Sequence, residues 1–233
     1  MHVHELNWMQ LEEYLARDDR IVLPLGSTEQ HGYLSLGTDN ILGERVSLEA
    51  AEPLGVPVLS VLPYGLTPAF GAFPGSPSLR FETLIAVLRD VLDSLHEQGF
   101  RRFLLVNAHG GNAPVSGLLR EWTADHAAGQ AIFHSWFNGP KVLEVALAID
   151  EEYSHANWGE DFPWTRLEGV AVPAEGKPML DEAAYRVAGP VEVRELIGDG
   201  SFGGLYRRSD HEMQRIWEAG VREVRELLES GWR

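Results

Sequence analysis

Two short apolar runs, residues 21–25 (IVLPL) and 102–106 (RFLLV), each break abruptly into a loop rich in glycine and polar residues. A run this short, bounded by glycine, reads as a buried strand. Residues 56–62 and 131–137 (AIFHSWF) are two further apolar runs, for four expected strands in all. Helical patterns fall between them. Residues 40–51 follow Thr38 and Asp39, either of which suits a helix cap. Residues 81–97 place Leu84, Ile85, Leu88, Val91, Leu92 and Leu95 on one stripe and end before Gly99. Residues 115–128 are the third. Strand and helix alternate, which predicts a parallel sheet covered by helices on both faces.

The segment at 63–78 carries too many Pro and Gly for regular structure and is expected as a loop. From 150 to about 204 the pattern is irregular, apart from a short helix near 181–187. Residues 210–230 put Met213, Ile216, Trp217, Val221, Val224, Leu227 and Leu228 on one stripe, as in a helix docked over a core. No repeat or linker divides the 233 residues, so one domain is expected.

Composition narrows the partners. The 19 Lys and Arg against 35 Asp and Glu give a net charge of −16, which repels phosphate backbones and argues against nucleic acid. The absence of cysteine removes disulfides, thiolate zinc sites and thiol nucleophiles together. The N-terminus shows no basic-then-apolar leader, and no apolar run reaches the length of a membrane span. A cytoplasmic location fits.

The residues that carry chemistry sit in four places: Glu29 and His31 after the first strand, Asp39 at a helix start, His109 within NAHGGN at 107–112, and His155 with Glu160 within SHANWGEDFPWT at 154–165. In a parallel α/β sheet, ligands gather beyond the carboxyl ends of the strands. Glu29, His31 and His109 lie just past such ends. Mixed carboxylate and imidazole donors suit zinc, manganese or iron rather than calcium. Asp39 is the natural bridge between two such ions, which would acidify a shared water and polarise a carbonyl. Taken singly, Asp39 reads more readily as a cap; Glu29 and His31 read equally as ordinary loop polars, and a turn or anion nest stays open for His109, as does a solvated acidic loop for His155 with Glu160. No phosphate-loop lysine follows the glycines, and GSTEQ does not match the G-x-S-x-G serine elbow.

At these residues the chain resembles the creatininase (creatinine amidohydrolase) family. LPLGSTEQHGYLSLGTD at 23–39, FPGSPSL at 73–79 and NAHGGN carry the likeness, which extends roughly over residues 5–162. The resemblance implies a three-layer α/β/α sandwich with a mostly parallel central sheet, two divalent metal ions (zinc or manganese, with iron also admitted), a homohexamer, and hydrolysis of C–N bonds in small amides. By position it implies that Glu29, Asp39 and His109 hold one metal, and that His31 with the bridging Asp39 holds the other. Gly111 stands where creatininase itself has a glutamate, so Glu160 is expected to complete the second site. His155 is expected as the general acid for the leaving nitrogen.

Three departures separate the chain from the family pattern. Tyr33-Leu34-Ser35 replaces His-Leu-Pro, Ala69-Phe70 replaces Glu-His, and HANWGEDFPWT adds Trp158, Phe162 and Trp164. Creatinine is therefore not the expected substrate. The added aromatics point either to an apolar, planar substrate or to packing in an oligomer interface. Two other readings stay open: a dehydratase-, lactonase- or isomerase-like enzyme on the same centre, and a non-enzymatic, metal-braced scaffold.

Overall fold

The computed structural model describes residues 1–232. Its centre is a parallel sheet of β1 (Arg20–Leu25), β2 (Arg102–Asn107) and β3 (Gln130–Ser135), in that order across the sheet. Ile21 pairs with Phe103 and Phe103 with Ala131, so hydrophobic positions of the same parity fall in register. Alternation along the strands then sends their side chains into two cores. Ile21, Leu23, Leu25, Phe103 and Leu105 meet α1 (Trp8–Leu15), α3 (Phe81–Glu97) and α4 (Val115–Asp125) on one face. Val22, Leu104 and Val106 meet α2 (Thr38–Ala51), α5 (Pro140–Ile149) and α8 (Asp210–Ser230) on the other. The expected three-layer α/β/α sandwich is the observed one.

The expected strand at 56–62 is not a regular strand. It runs beside β1 through isolated bridges only, Val22 with Val58 and Leu25 with Leu62. Between these bridges β1 advances three residues and its neighbour four, as a bulge requires. Pro24 of β1 also has no N–H to offer this side. The expected strand at 131–137 ends at Ser135, where Trp136–Asn138 turns into a 3-10 helix. The helix expected at 115–128 stops at Asp125. Three helices went unread in the sequence: α1, α5 and α7 (Pro190–Ile197). The short helix near 181–187 is α6 (Glu182–Val187), capped by Asp181.

The long helix at 210–230 is α8, opened by a capping box between Ser209 and Glu212. Its buried face carries Met213, Ile216, Trp217, Val224 and Leu228, and the Trp217 indole N–H donates to Glu49 Oε2 at 2.7 Å. Among the described residues no helix is long and apolar enough to cross a membrane.

The aromatics added at 158–164 are part of this core. Trp158 and Phe162 are both 0% exposed, and Phe162 packs against Trp136 and Trp217. Trp164 stacks on Phe162 and carries the Arg45 guanidinium 3.9 Å from its ring. None of the three lines the cavity described below, so a substrate wall does not explain them, and burial in this core accounts for Trp158 and Phe162 without an oligomer face. Phe162→Ala should therefore cost about 3–5 kcal/mol of stability in equilibrium urea unfolding. A loss below about 1 kcal/mol would contradict this core placement.

Candidate metal centre

The loop after β1 folds back on itself, with the Glu29 N–H donating to the Leu36 carbonyl at 3.0 Å. This brings Glu29 and His31 beneath the first turn of α2. Asp39 is the second residue of α2, but it caps nothing. Gly37 occupies the cap position without a side-chain bond, and the Thr38 hydroxyl donates outward to the Ser35 carbonyl. The cap reading of Thr38 and Asp39 fails because the Asp39 carboxylate turns away from the helix, into the cluster.

His31 Nε2 stands 3.0 Å from Asp39 Oδ1 and 3.7 Å from Glu160 Oε2. His109 Nδ1 stands 3.1 Å from Asp39 Oδ2 and 3.2 Å from Glu29 Oε1. Glu29, Asp39 and His109 thus form one compact donor group, and His31, Asp39 and Glu160 a second. Asp39 belongs to both, one oxygen toward each imidazole.

The far side of each ring decides what faces the cluster. His31 Nδ1 lies 3.2 Å from the Glu29 carbonyl, and His109 Nε2 lies 2.8 Å from the Leu66 carbonyl. A carbonyl only accepts, so each of these nitrogens carries a hydrogen. The neutral rings therefore aim lone pairs at His31 Nε2 and His109 Nδ1 into the carboxylates, the tautomers that metal-ligating histidines hold. His31 Nε2 and Asp39 Oδ2 are buried yet make no hydrogen bond; their contacts are close but wrongly angled. Buried polar atoms without partners are costly unless a cation completes them. The donor set fits a pair of divalent ions that accept nitrogen and oxygen ligands.

Neighbouring groups hold these ligands in place. The Ser27 hydroxyl donates to Glu29 Oε2 at 3.0 Å, leaving Oε1 for the cluster. Asn107 Nδ2 donates to the His109 carbonyl and to Ser135 Oγ, which ties the NAHGGN loop to β3. A Cβ at Gly111 would lie 1.9 Å from the Leu66 carbonyl oxygen, so this loop has no room for a carboxylate there.

His155 and Glu160 lie between α5 and α6, in a buried segment rather than a solvated loop. Ala156 takes a left-handed φ of 53°, unusual for a residue with a Cβ, and its N–H donates to Glu160 Oε2 at 2.6 Å. The His155 ring stacks on Phe70 at 5.0 Å and lies 4.6 Å from His31.

Electrostatics follow the geometry. Burial alone would lower His31, but Asp39 and Glu160 raise it to about 10. His109 likewise rises well above the usual histidine value against the burial effect, held by Asp39 and Glu29. Burial pushes Glu160 up to about 7, partly offset by His31. Asp39 stays ionised despite burial because His31 and His109 face it. His155 goes the other way: burial, then the charge on His31, lowers it to about 3, so it is neutral at pH 7.

The cluster forms one wall of a cavity of about 370 Å³. Phe70, Phe137, Tyr153, Tyr185 and Phe202 supply aromatic surface around it, and no lysine or arginine of the described residues lines it. These aromatics were not foreseen. Phe70, Tyr153 and Phe202 come from irregular stretches that no periodicity marks, whereas Phe137 ends the run at 131–137 and Tyr185 lies on α6.

All six expected site residues are thus brought together. The model of the creatininase family, described as creatinine amidohydrolase, matches residues 4–228, well past the limit near 162 that the motifs suggested. The 3-dehydro-scyllo-inosose hydrolase of Thermotoga maritima is 26% identical over 217 residues, spanning 88% of this chain and 70% of that protein. The creatinine amidohydrolase of Pseudomonas putida is 34% identical over 118 residues, spanning 48% of this chain and 45% of that protein. A crystal structure of creatinine amidohydrolase has the same fold, with a TM-score of 0.81 at 24% identity over 99% of this chain and 97% of that one.

The raised histidines give the centre a proton signature. At pH 7, below the raised His31 and His109 values, the metal-free cluster holds protons that ligation must expel. Titrating metal-free protein with zinc in weak buffer should release about two protons or more per chain at pH 7. The His31 share should vanish as pH rises through about 10. Metal uptake without proton release would contradict these ligand assignments.

Proposed function

The chain belongs to the creatininase family of metal-dependent hydrolases, and from this premise we propose that it hydrolyses the C–N bond of a small, neutral amide. The observation that carries the reading is the placement of Asp39 between two imidazole lone pairs. Glu29, Asp39 and His109 would hold one divalent ion, and His31, Asp39 and Glu160 the other. Zinc or manganese suits this donor set. When bound, such a pair supplies Lewis acidity toward a carbonyl and acidifies water.

The residues around the centre then account for the rest. The aromatic walls exclude water and favour a flat, compact substrate. With no cationic side chain on the wall, no residue away from the ion site pairs with a substrate carboxylate. His155 is assigned to the leaving nitrogen. Because it enters neutral, it acts there as an N–H hydrogen-bond donor rather than as a free imidazolium, which narrows the general-acid role expected from the resemblance. The proton that completes the amine comes from the attacking water, whose oxygen becomes part of the new carboxylate.

A second reading has a specific support. A relative matched over 217 residues is named as a hydrolase of an inosose, not of an amide. A polyhydroxylated ring, however, needs many hydrogen-bonding partners, and away from the ligand cluster the polar side chains on the walls are Asn138, Ser154, Tyr153 and Tyr185, beside Phe70, Phe137 and Phe202.

A panel of cyclic amides, formamides and inososes separates the two readings. Metal-loaded protein should release amine with a new carboxylate from at least one neutral amide. His155→Phe should lower kcat on the order of 10²-fold or more while keeping the bound metal. Glu160→Ala should retain about one ion per chain. Turnover of the inosose with none of the amides would overturn the amide reading.

A further inference from the structure

Gln30 lies between the ligand residues Glu29 and His31, yet its side chain points away from their cluster. It is 5% exposed, and its backbone N–H donates to Ser76 Oγ at 2.9 Å. The side-chain Oε1 accepts from the Gly32 N–H at 3.1 Å, and Nε2 donates to the Gly200 carbonyl at 3.0 Å. These two bonds fix the orientation of the amide. Turning it over would set oxygen against a carbonyl and NH₂ against an N–H. The Gly200 backbone has a φ of +102°, and a Cβ there would lie 1.8 Å from Gln30 Oε1, so glycine permits this approach.

The remaining hydrogen on Gln30 Nε2 meets His155 Nε2 at 3.0 Å. An amide NH₂ cannot accept, so His155 Nε2 must offer its lone pair. A neutral ring then carries its hydrogen on Nδ1, the nitrogen 3.9 Å from Glu160 Oε2. We infer that Gln30 is a positioning residue that selects the Nδ1–H tautomer of His155 and so presents a donor, not a lone pair, toward the Glu160 side of the cavity. Phe70 and Phe202, with ring centroids 5.0 and 4.8 Å from His155, keep the ring from turning over. The use of that donor on a leaving nitrogen rests on the amidohydrolase reading; the tautomer does not.

Two-bond ¹H–¹⁵N correlation spectra of metal-free protein with ¹⁵N-labelled histidine, at pH 7, read the tautomer directly. His155→Asn identifies the resonances. The expected result is a protonated-nitrogen shift at Nδ1 and a lone-pair shift at Nε2 of His155. In Gln30→Met, which removes the donor at similar length, the two shifts should move together as the tautomers mix. The loaded variant should lose on the order of 10- to 100-fold in kcat. A proton on Nε2 in the wild type, or an unchanged tautomer in Gln30→Met, would overturn the inference. If Gln30→Met does not fold, the wild-type spectrum decides alone. An Nδ1–H spectrum without amide turnover would sink the amidohydrolase reading and leave this one standing.

Discussion

A single carboxylate, that of Asp39, faces two imidazole nitrogens from its two oxygens, at 3.0 Å from His31 Nε2 and 3.1 Å from His109 Nδ1. Two lone pairs cannot face a buried carboxylate at that range without positive charge between them. Protons supply it in the metal-free chain, and divalent ions would supply it in the loaded one. The outer nitrogens are held by the Glu29 and Leu66 carbonyls, so loss of the inner proton leaves each ring in its ligand tautomer. The rest of the structure serves to keep these groups at that range.

The sheet does most of this. β1 and β2 are adjacent and in register, so the loops that leave Leu25 and Asn107 start side by side. Each loop then spends its glycines where backbones must touch. Gly26 lies against Asn40, where a Cβ would stand 2.1 Å from Asn40 Oδ1, and Gly111 lies against Leu66. Asn112 joins the two loops by donating to the Gly26 carbonyl and accepting from the Leu66 N–H. The third wall arrives from residues 155–160, anchored by the bond from the Phe202 N–H to the His155 carbonyl.

Much of this was legible in the sequence because strand ends and glycine loops leave local marks. Glu29, His31 and His109 were found by their place after apolar runs. Asp39 was ambiguous because a helix cap and a ligand at a helix start share one signal; only the direction of the carboxylate separates them. Trp158, Phe162 and Trp164 misled because an aromatic near a site motif looks alike in sequence whether it lines a cavity or fills the core behind it. The true cavity aromatics, such as Phe70 and Phe202, sit in stretches without periodicity. Gln30 carries no local mark of its role, since its four partners are up to 170 residues distant in sequence. The edge segment at 56–62 had strand composition, but its pairing is broken by a bulge that no local pattern announces.

The bridging role of Asp39 is the claim on which the account stands, and it has a direct spectroscopic test. Protein loaded with manganese would be examined by electron paramagnetic resonance beside Asp39→Asn. A carboxylate shared between two ions should give an exchange-coupled dimanganese spectrum in the wild type, replaced by an isolated-ion signal in the variant. A wild-type spectrum of uncoupled, isolated manganese alone would contradict the shared carboxylate and the two-ion chemistry built on it.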